Sequence, residues 1–471
     1  MNTFNSNDPK FIAALKAIEF LINSKDLRGA AEQLNRLLRA RPNDPRIYLL
    51  GAALAAATGN TPGELQSATR AYQLAPQWPI ATLKLAETHV KEGATEEAMS
   101  MLNLTVDLVD KAVGAASEKA QFFSQSADLA QRIGDSRSAA VWLQKAVNLT
   151  PEDLGMRFTL AQTLLRSGQA EASAKLLGQL LLEVPDDKVY LLTRLQANIK
   201  AGLTEAAIRD GERLLFLEPD NEQHQFFAAV AKGETPPAQP DALISGLFDG
   251  YAARFDKHLV VSLQYKLPRD VAAMIHTWHP DRKGDVLDLG CGTGLMGVCL
   301  GPIEGVLVGV DLSGEMINQA LRHQVYDKFH QVNVINALQA TPGDQYHVIT
   351  ALDVLNYVGD LSSVLPNAHR ILLTGGHLVF SCEASAETGD GPTQDMTLDK
   401  STYRYTHDRK YVERLLKDSG FTDYGIEERV LRLNNNTPVN GYLITAVKSA
   451  SAVKKTDRRP PKSATPVNLG Q

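Results

Sequence analysis

Cysteine is scarce in this chain of 471 residues, with only Cys291, Cys299 and Cys382. So few exclude a disulfide-stapled scaffold and point to a reducing compartment, hence to a cytoplasmic location. Long hydrophobic runs are absent too. No stretch of 18 apolar residues exists, so no membrane span is expected, and the opening MNTFNSNDPK lacks the apolar core of a signal peptide. No group of His, Cys and carboxylates has metal-ligand spacing, so no metal is expected. Positive charge is also in short supply, with 48 Lys and Arg against 54 Asp and Glu. Residues 1–240 hold 25 basic and 28 acidic side chains, residues 241–447 hold 17 and 25, and residues 448–471 hold 6 and 1. A nucleic-acid binder needs a basic face, and the second region is the most acidic, so nucleic acid is not an expected partner. What is present, 44% apolar and 22% charged residues, is the composition of a soluble globular chain. Its length predicts about two to four domains.

The first half repeats. Pro42, Pro76, Pro151, Pro185 and Pro219 share one register, with Asp110 filling the place between the second and third. Ala52, Ala86, Ala127 and Ala161 form a row ahead of them, with Ile18 and Leu195 in the end units. A second small-residue row holds Ala30, Ala98, Ala139, Ser173 and Ala207, broken by Glu64. Gly59, Gly93, Gly134, Gly168 and Gly202 form a third row, in which Lys25 takes the first place. Each unit reads as two amphipathic helices. Small residues let the pair approach, glycine ends the first helix in a left-handed turn, and proline stops the second. Six such units over residues 11–221 resemble the tetratricopeptide repeat, although its consensus Trp and Tyr are mostly missing. Seven extra residues near 111–117 should lengthen the second helix of the third repeat or form a loop. A solenoid of this kind leaves a concave groove, so the resemblance implies a protein or peptide partner; a spacer or assembly arm is the alternative.

The domain boundaries expected are a helical repeat domain at 11–232 with a capping helix, a stiff linker at 233–241, a second domain at 242–448 and a disordered basic tail at 449–471. In the second domain, short apolar runs DVLDLG (285–290), GVLVGV (305–310), VNVI (332–335), HVITALDV (347–354) and HLVFSCE (377–383) alternate with helical stretches. This is a doubly wound α/β pattern. YGIEERVLRL and VNGYLITAVK around the turn NNNTP add an antiparallel pair at the end.

The segment DVLDLGCGTGLMG (285–297) sets Gly290, Gly292 and Gly294 between a strand and a helix, where ligands of open α/β sheets bind. Asp288 stands where a carboxylate can meet a ligand's cationic end. Asp311 ends the second strand in VLVGVDLS, where an acid can accept both ribose hydroxyls. VLDLGCGTG followed by GVDLS resembles the S-adenosylmethionine-binding motifs of class I methyltransferases, which are Rossmann-like domains with a seven-stranded sheet. The resemblance implies S-adenosylmethionine as cofactor, held by Asp288 and the Gly290–Gly294 loop at the methionine end and by Asp311 and Leu312 at the ribose. Met316 would lie near the adenine, and Asn333 stands near the position where relatives often carry an Asp. DLGCGTG departs from the G-x-G-x-x-G of nicotinamide dehydrogenases, the rival reading. With LFDGYAARFDKHLVVSLQYKLP (247–268), ALDVLNYVGDL (351–361), FSCE (380–383) and YRYTHDRKYV (403–412), the chain is similar to a bacterial group of methyltransferases fused to tetratricopeptide repeats.

Acceptor-facing residues belong at the carboxyl ends of strands four and five. That nominates Asp353, Asn356, Tyr357 and Asp360, then Glu383, and beyond it His407 with Tyr403 and Tyr405. Tyr357, Glu383 and His407 are the catalytic candidates, and Asp353 also counts among the cofactor-binding ones. Tyr251, Phe255 and Tyr265 are candidates for a lid. Each has a plainer reading: Asp353, Asp360 and His407 as helix caps, Glu383 as a solvated acid, the tyrosines as core. VLNY (354–357) keeps only the Asn and Tyr of the NPPY motif of amide and nucleobase methyltransferases. Three functions remain open: a methyltransferase for a protein acceptor, one for a small molecule, and a scaffold with a silent domain.

Overall fold

The computed structural model describes residues 8–250, 252, 265–385, 394–434 and 437–449. They form two compact units, divided between Lys232 and Gly233.

The first unit is six helix pairs and a final helix: Pro9–Asn23 with Leu27–Ala40, Pro45–Ala57 with Thr61–Leu74, Pro79–Glu92 with Thr95–Lys111, Ala116–Arg132 with Ser136–Leu149, Leu154–Arg166 with Ala170–Glu183, Lys188–Lys200 with Thr204–Leu217, then Glu222–Ala231. The two small-residue rows are buried at the helix crossings, as are Ile18 and Leu195. The five row glycines all have positive φ, between 69° and 90°, and Lys25 follows them at 63° despite its side chain. Two residues after most of the prolines stands a helix cap: Asp44, Asp153, Asp187 and Asn221 each accept from a backbone N–H of the next helix. Such a cap contributes about 1 kcal/mol. The extra seven residues lengthen both neighbours, so Thr95–Lys111 and Ala116–Arg132 run to 17 residues each. Glu64, the break in the small-residue row, is 3% exposed, and its carboxylate accepts from Lys84 Nζ (2.9 Å) and Lys91 Nζ (2.7 Å).

The second unit holds a sheet of nine strands among the described residues: β1 Val286–Leu289, β2 Leu307–Asp311, β3 Lys328–Gln331, β4 Tyr346–Ala351, β5 Leu372–Ala384, β6 Met396–Leu398, β7 Tyr405–His407, β8 Asp423–Asn434 and β9 Thr437–Val447. β3-β2-β1-β4-β5 are parallel neighbours, and β9 then β8 continue antiparallel from β5. These seven form the expected sheet. The hairpin β6–β7 is additional, β7 pairing with β5 at Glu383 and Ala384, beyond the end of β4. The third strand is not VNVI but the preceding KFHQ, an edge strand whose side chains are mostly exposed; Val334 already begins the helix Val334–Ala340. Alternate residues of β1, β2, β4 and β5 feed two cores. Leu287, Val308, Ile349 and Phe380 pack toward Leu365 and Ala368, while Val286, Leu307, Val348 and Val379 pack toward Val271 and Ile275 of the helix Leu267–Trp278. Apolar residues on both faces are what a parallel sheet covered on both sides requires.

The stretch expected as a linker is tied into this unit. Pro237 O accepts from Gly359 N (2.9 Å) and Asp360 N (2.8 Å), and Pro236 O from the Tyr405 hydroxyl (2.8 Å). Gln239 donates to the carbonyls of Tyr357 and Tyr403. The helix Asp241–Asp249 follows directly. All but the first residue of the expected basic tail lies outside the described residues, as do Tyr251 and Phe255.

Candidate functional site

The chain leaves β1 in a loop folded back on β2. Gly290 N and Cys291 N both donate to Val310 O (2.8 and 2.9 Å). Gly290 has φ 69°, and a Cβ there would stand 2.5 Å from Val354 Cγ2, so this turn admits no side chain. Gly292 N donates to Asp311 Oδ2 (2.8 Å), joining the loop to the end of β2, and Ser313 N donates to the other oxygen (2.9 Å). Gly294, in the left-handed region, precedes the helix Leu295–Leu300. Asp288 is 2% exposed, and its carboxyl accepts from Thr350 Oγ1 and the Tyr326 hydroxyl, each at 2.7 Å. Burial pushes it up to about 6, against these two hydrogen bonds and with the charge of Asp311 adding to the rise. Burial likewise raises Asp311.

These residues form one end of a cavity of about 430 Å³, lined by Asp288, Gly290, Gly292, Asp311, Leu312, Met316 and Asn333. The Asn333 carbonyl caps the next helix by accepting from Asn336 N (2.8 Å), and its amide donates to Asp241 Oδ2 (2.9 Å). An acid therefore does stand at this end, but it comes from the helix Asp241–Asp249, which sequence reasoning did not consider. The same helix closes over the cavity with Leu247 and Phe248, and its last residue, Asp249, accepts from Ser313 Oγ (2.5 Å).

The other end is built around two arginines, Arg404 and Arg432, neither of which was nominated from the sequence. Arg404 donates to Glu383 Oε1, Tyr357 Oη and Asp353 Oδ1, each at 2.7 Å. Burial opposes its charge, but the carboxylates of Asp353 and Glu383 outweigh that and hold it above its usual range. Arg432 donates to Glu383 Oε1 (2.9 Å), and its Nε lies 3.6 Å from Asp353 Oδ2. Asp353 has φ 53° and donates its N–H to Ser381 Oγ (2.8 Å). Tyr265 lines the wall between the ends. Burial first, then the charges of Asp353 and Asp288, raise its hydroxyl pKa well above the ordinary value.

The structure thus brings most of the nominated residues to one cavity: Asp288, Gly290, Gly292, Asp311, Leu312, Asn333, Asp353 and Tyr357. Others stand apart from its lining. Glu383 is held between the two arginines. His407 is fully buried, its Nε2 against the carbonyls of Val358 (3.1 Å) and Gly359 (2.9 Å), and burial lowers its pKa. Asp360 caps the turn at Ser362 and receives the Tyr411 hydroxyl. The Tyr405 hydroxyl is spent on Pro236, and Asn356 is buried outside the cavity. Cys291 does line the cavity, but burial raises its thiol far from a nucleophile's range. Among the described residues no group of three or more His, Cys, Asp and Glu could hold a metal ion.

Residues 262–424 match the family model described as a methyltransferase domain, and residues 134–199 match one for the tetratricopeptide repeat. The chain carries a methyltransferase domain behind tetratricopeptide repeats. The ubiquinone biosynthesis O-methyltransferases of Pseudomonas savastanoi pv. phaseolicola and Pseudomonas aeruginosa are 28% and 27% identical over 126 residues, 25% of this chain and 54% of theirs. The chain thus spans about half the length of the curated relatives it matches. Similar solved structures include the 1,6-didemethyltoxoflavin-N1-methyltransferase of Burkholderia thailandensis, 18% identical over 46% of this chain and 93% of that one, with a TM-score of 0.35. Another is a methyltransferase of Thermotoga maritima, described as a possible histamine N-methyltransferase, 14% identical over 44% of this chain and all of that one, with a TM-score of 0.29. No helix among the described residues is long and apolar enough to cross a membrane.

Proposed function

We propose that the protein is an S-adenosylmethionine-dependent methyltransferase. The observation that carries this reading is Asp288: a buried carboxyl raised to about 6, beside a glycine loop that a Cβ would fill. The residues fit the cofactor. An ammonium group beside Asp288 relieves the cost of burying its charge. Asp311, oriented by Gly292 and Ser313, has lone pairs left for two neighbouring hydroxyls. Leu312, Met316, Val334 and Asn333 line the adenine side, and Asp241 supplies the acid there. When bound, the cofactor supplies a methyl group already activated for in-line displacement. The chain's own work is to position the acceptor and exclude water, which Phe248, Tyr265 and Leu352 do from the cavity wall. Tyr357, of the three catalytic candidates, lines the cavity and orients the acceptor. Glu383 holds the arginines, and His407 holds the turn at Val358–Gly359.

The acceptor in this reading is a protein or peptide recruited by the repeats, since a solenoid of some 220 residues serves partner binding more readily than small-molecule chemistry. The first unit offers an open groove of about 1040 Å³ lined by Tyr48, Leu54, Gln66 and Arg70. A small-molecule acceptor, with the repeats used for assembly or carrier docking, is the second reading, favoured by the curated O-methyltransferase relatives. The three cysteines are free thiols, in keeping with a cytoplasmic location. The test is calorimetry of S-adenosylhomocysteine binding to the full chain, followed by transfer of labelled methyl groups into lysate. No binding refutes the enzyme. Label in extractable metabolites rather than in protein refutes the protein acceptor.

A further inference from the structure

Arg432 is 7% exposed, and its Nη1 is buried without a hydrogen-bond partner. Among the described residues lining the cavity, no other buried side-chain nitrogen or oxygen is left in that state. Arg404 makes the contrast, since each of its three nitrogens has its acceptor. A guanidinium N–H removed from water with nothing in return is rare, and in a binding cavity it marks the place of a ligand atom. We propose that Arg432 Nη1 donates a hydrogen bond to an oxygen of the methyl acceptor, and that this oxygen is uncharged, a carbonyl or a hydroxyl. The proposal rests on the methyltransferase reading above and names the acceptor class.

The donor calls for an acceptor such as oxygen because a guanidinium only donates. The charge balance calls for a neutral one. Two guanidiniums already face the carboxylates of Asp353 and Glu383, so a further anion would lie against both acids with no other basic side chain among the described lining residues to offset it. The walls here, Leu352, Phe248, Tyr265 and the Tyr357 ring (5.4 Å from that of Phe248), suit an apolar or planar body carrying that oxygen. The bulge between Val430 and Arg432 in β8 is what turns Arg432 inward at all. A site built to hydrogen-bond an oxygen rejects the analogue that lacks it, since the buried N–H then stays unpaired.

The test uses the full chain loaded with S-adenosylhomocysteine and four probes: acetophenone and phenol with an uncharged oxygen, benzoate with an anionic one, and ethylbenzene with none. Affinities are read by ligand-observed NMR titration for wild type, Arg432→Lys and Arg432→Met. Lysine keeps the charge opposite Glu383 but lacks the planar fork that holds Glu383 with one N–H and offers another to the probe, so it separates lost donor geometry from a damaged fold. Wild type is expected to favour an uncharged oxygenated probe over ethylbenzene by about tenfold or more, the worth of a charge-assisted hydrogen bond. Both variants are expected to lose that preference while S-adenosylhomocysteine binds within about threefold of wild type, as for a site not sharing its partners. A preference that persists in both variants, or is absent from wild type, overturns the role of Arg432. Benzoate binding tighter than acetophenone overturns the neutral oxygen. Failure of wild type to bind S-adenosylhomocysteine refutes the underlying reading instead.

Discussion

Replacing Asp288 by Asn makes the donor end of the cavity testable in two directions at once. The rise of its carboxyl from the usual 3.8 to about 6 is caused by burial. At about 1.4 kcal/mol per tenfold, that rise is roughly 3 kcal/mol of penalty on the ionised form. A carboxyl raised by folding stabilises the fold below its unfolded value and loses that contribution as pH rises through its folded value. The ligand-free protein should therefore lose up to about 3 kcal/mol from this group between pH 4 and pH 7, and Asp288→Asn should flatten that loss, melting higher than wild type at pH 7.5. Binding runs the other way. A cationic amino group needs Asp288 ionised, so affinity for S-adenosylhomocysteine should fall below pH 6, approaching tenfold per pH unit. The variant should bind about 10- to 100-fold more weakly at pH 7.5, as expected for a lost charge-assisted hydrogen bond, and show no such pH slope. Calorimetric titrations from pH 5 to 8, with thermal melts over the same range, read both effects. An affinity of wild type that is flat through pH 6, or a variant with the same slope, refutes the argument.

Asp311→Ala removes the acceptor of Gly292 N and Ser313 N together with the proposed ribose contact; calorimetry should find binding weakened about 100-fold or more. Gly290→Ala adds a Cβ 2.5 Å from Val354 at φ 69° and should cost about 2–4 kcal/mol in thermal or urea unfolding, while Gly59→Ala, at the same φ but with nothing within 4 Å, should cost only about 1 kcal/mol. Glu64 is pushed up by burial but brought below its usual value by hydrogen bonds from Lys91 and Lys84, so its contribution to the repeats is present above pH 4.5 and lost as pH falls through the lowered value; urea unfolding of Glu64→Gln should show a weaker acid dependence than wild type.

The repeats were legible because their constraint is local and periodic. Glycine, proline and small-residue rows encode helix ends and crossings, and even Lys25 keeps the left-handed turn that its row demands. The donor end of the cavity was legible for the same reason, since loop and acids fall within a few residues of strand ends. The third strand was misplaced by four residues because KFHQ, at the sheet edge, has no apolar signature, while VNVI has one and opens a helix. The acceptor end was hidden. Arg404 enters on a short hairpin beyond the common sheet. Arg432 sits in a strand whose alternation breaks at a bulge, so that Leu431 and Arg432 are both buried. His407 was nominated by position along the chain, but its ring is spent on two carbonyls.

The hairpin β6–β7 has a consequence for how such a chain can change its chemistry. Loop, acids and proposed ribose contact belong to the parallel strands β1 and β2, whereas Arg404 arrives on an appendage and Arg432 through one extra residue in an outer strand. The two halves of the proposed reaction are thus written in separable parts of the chain. On the proposed function, exchanging the hairpin, or shifting the bulge by one residue, would redraw what receives the methyl group while the parts that hold its donor stay untouched.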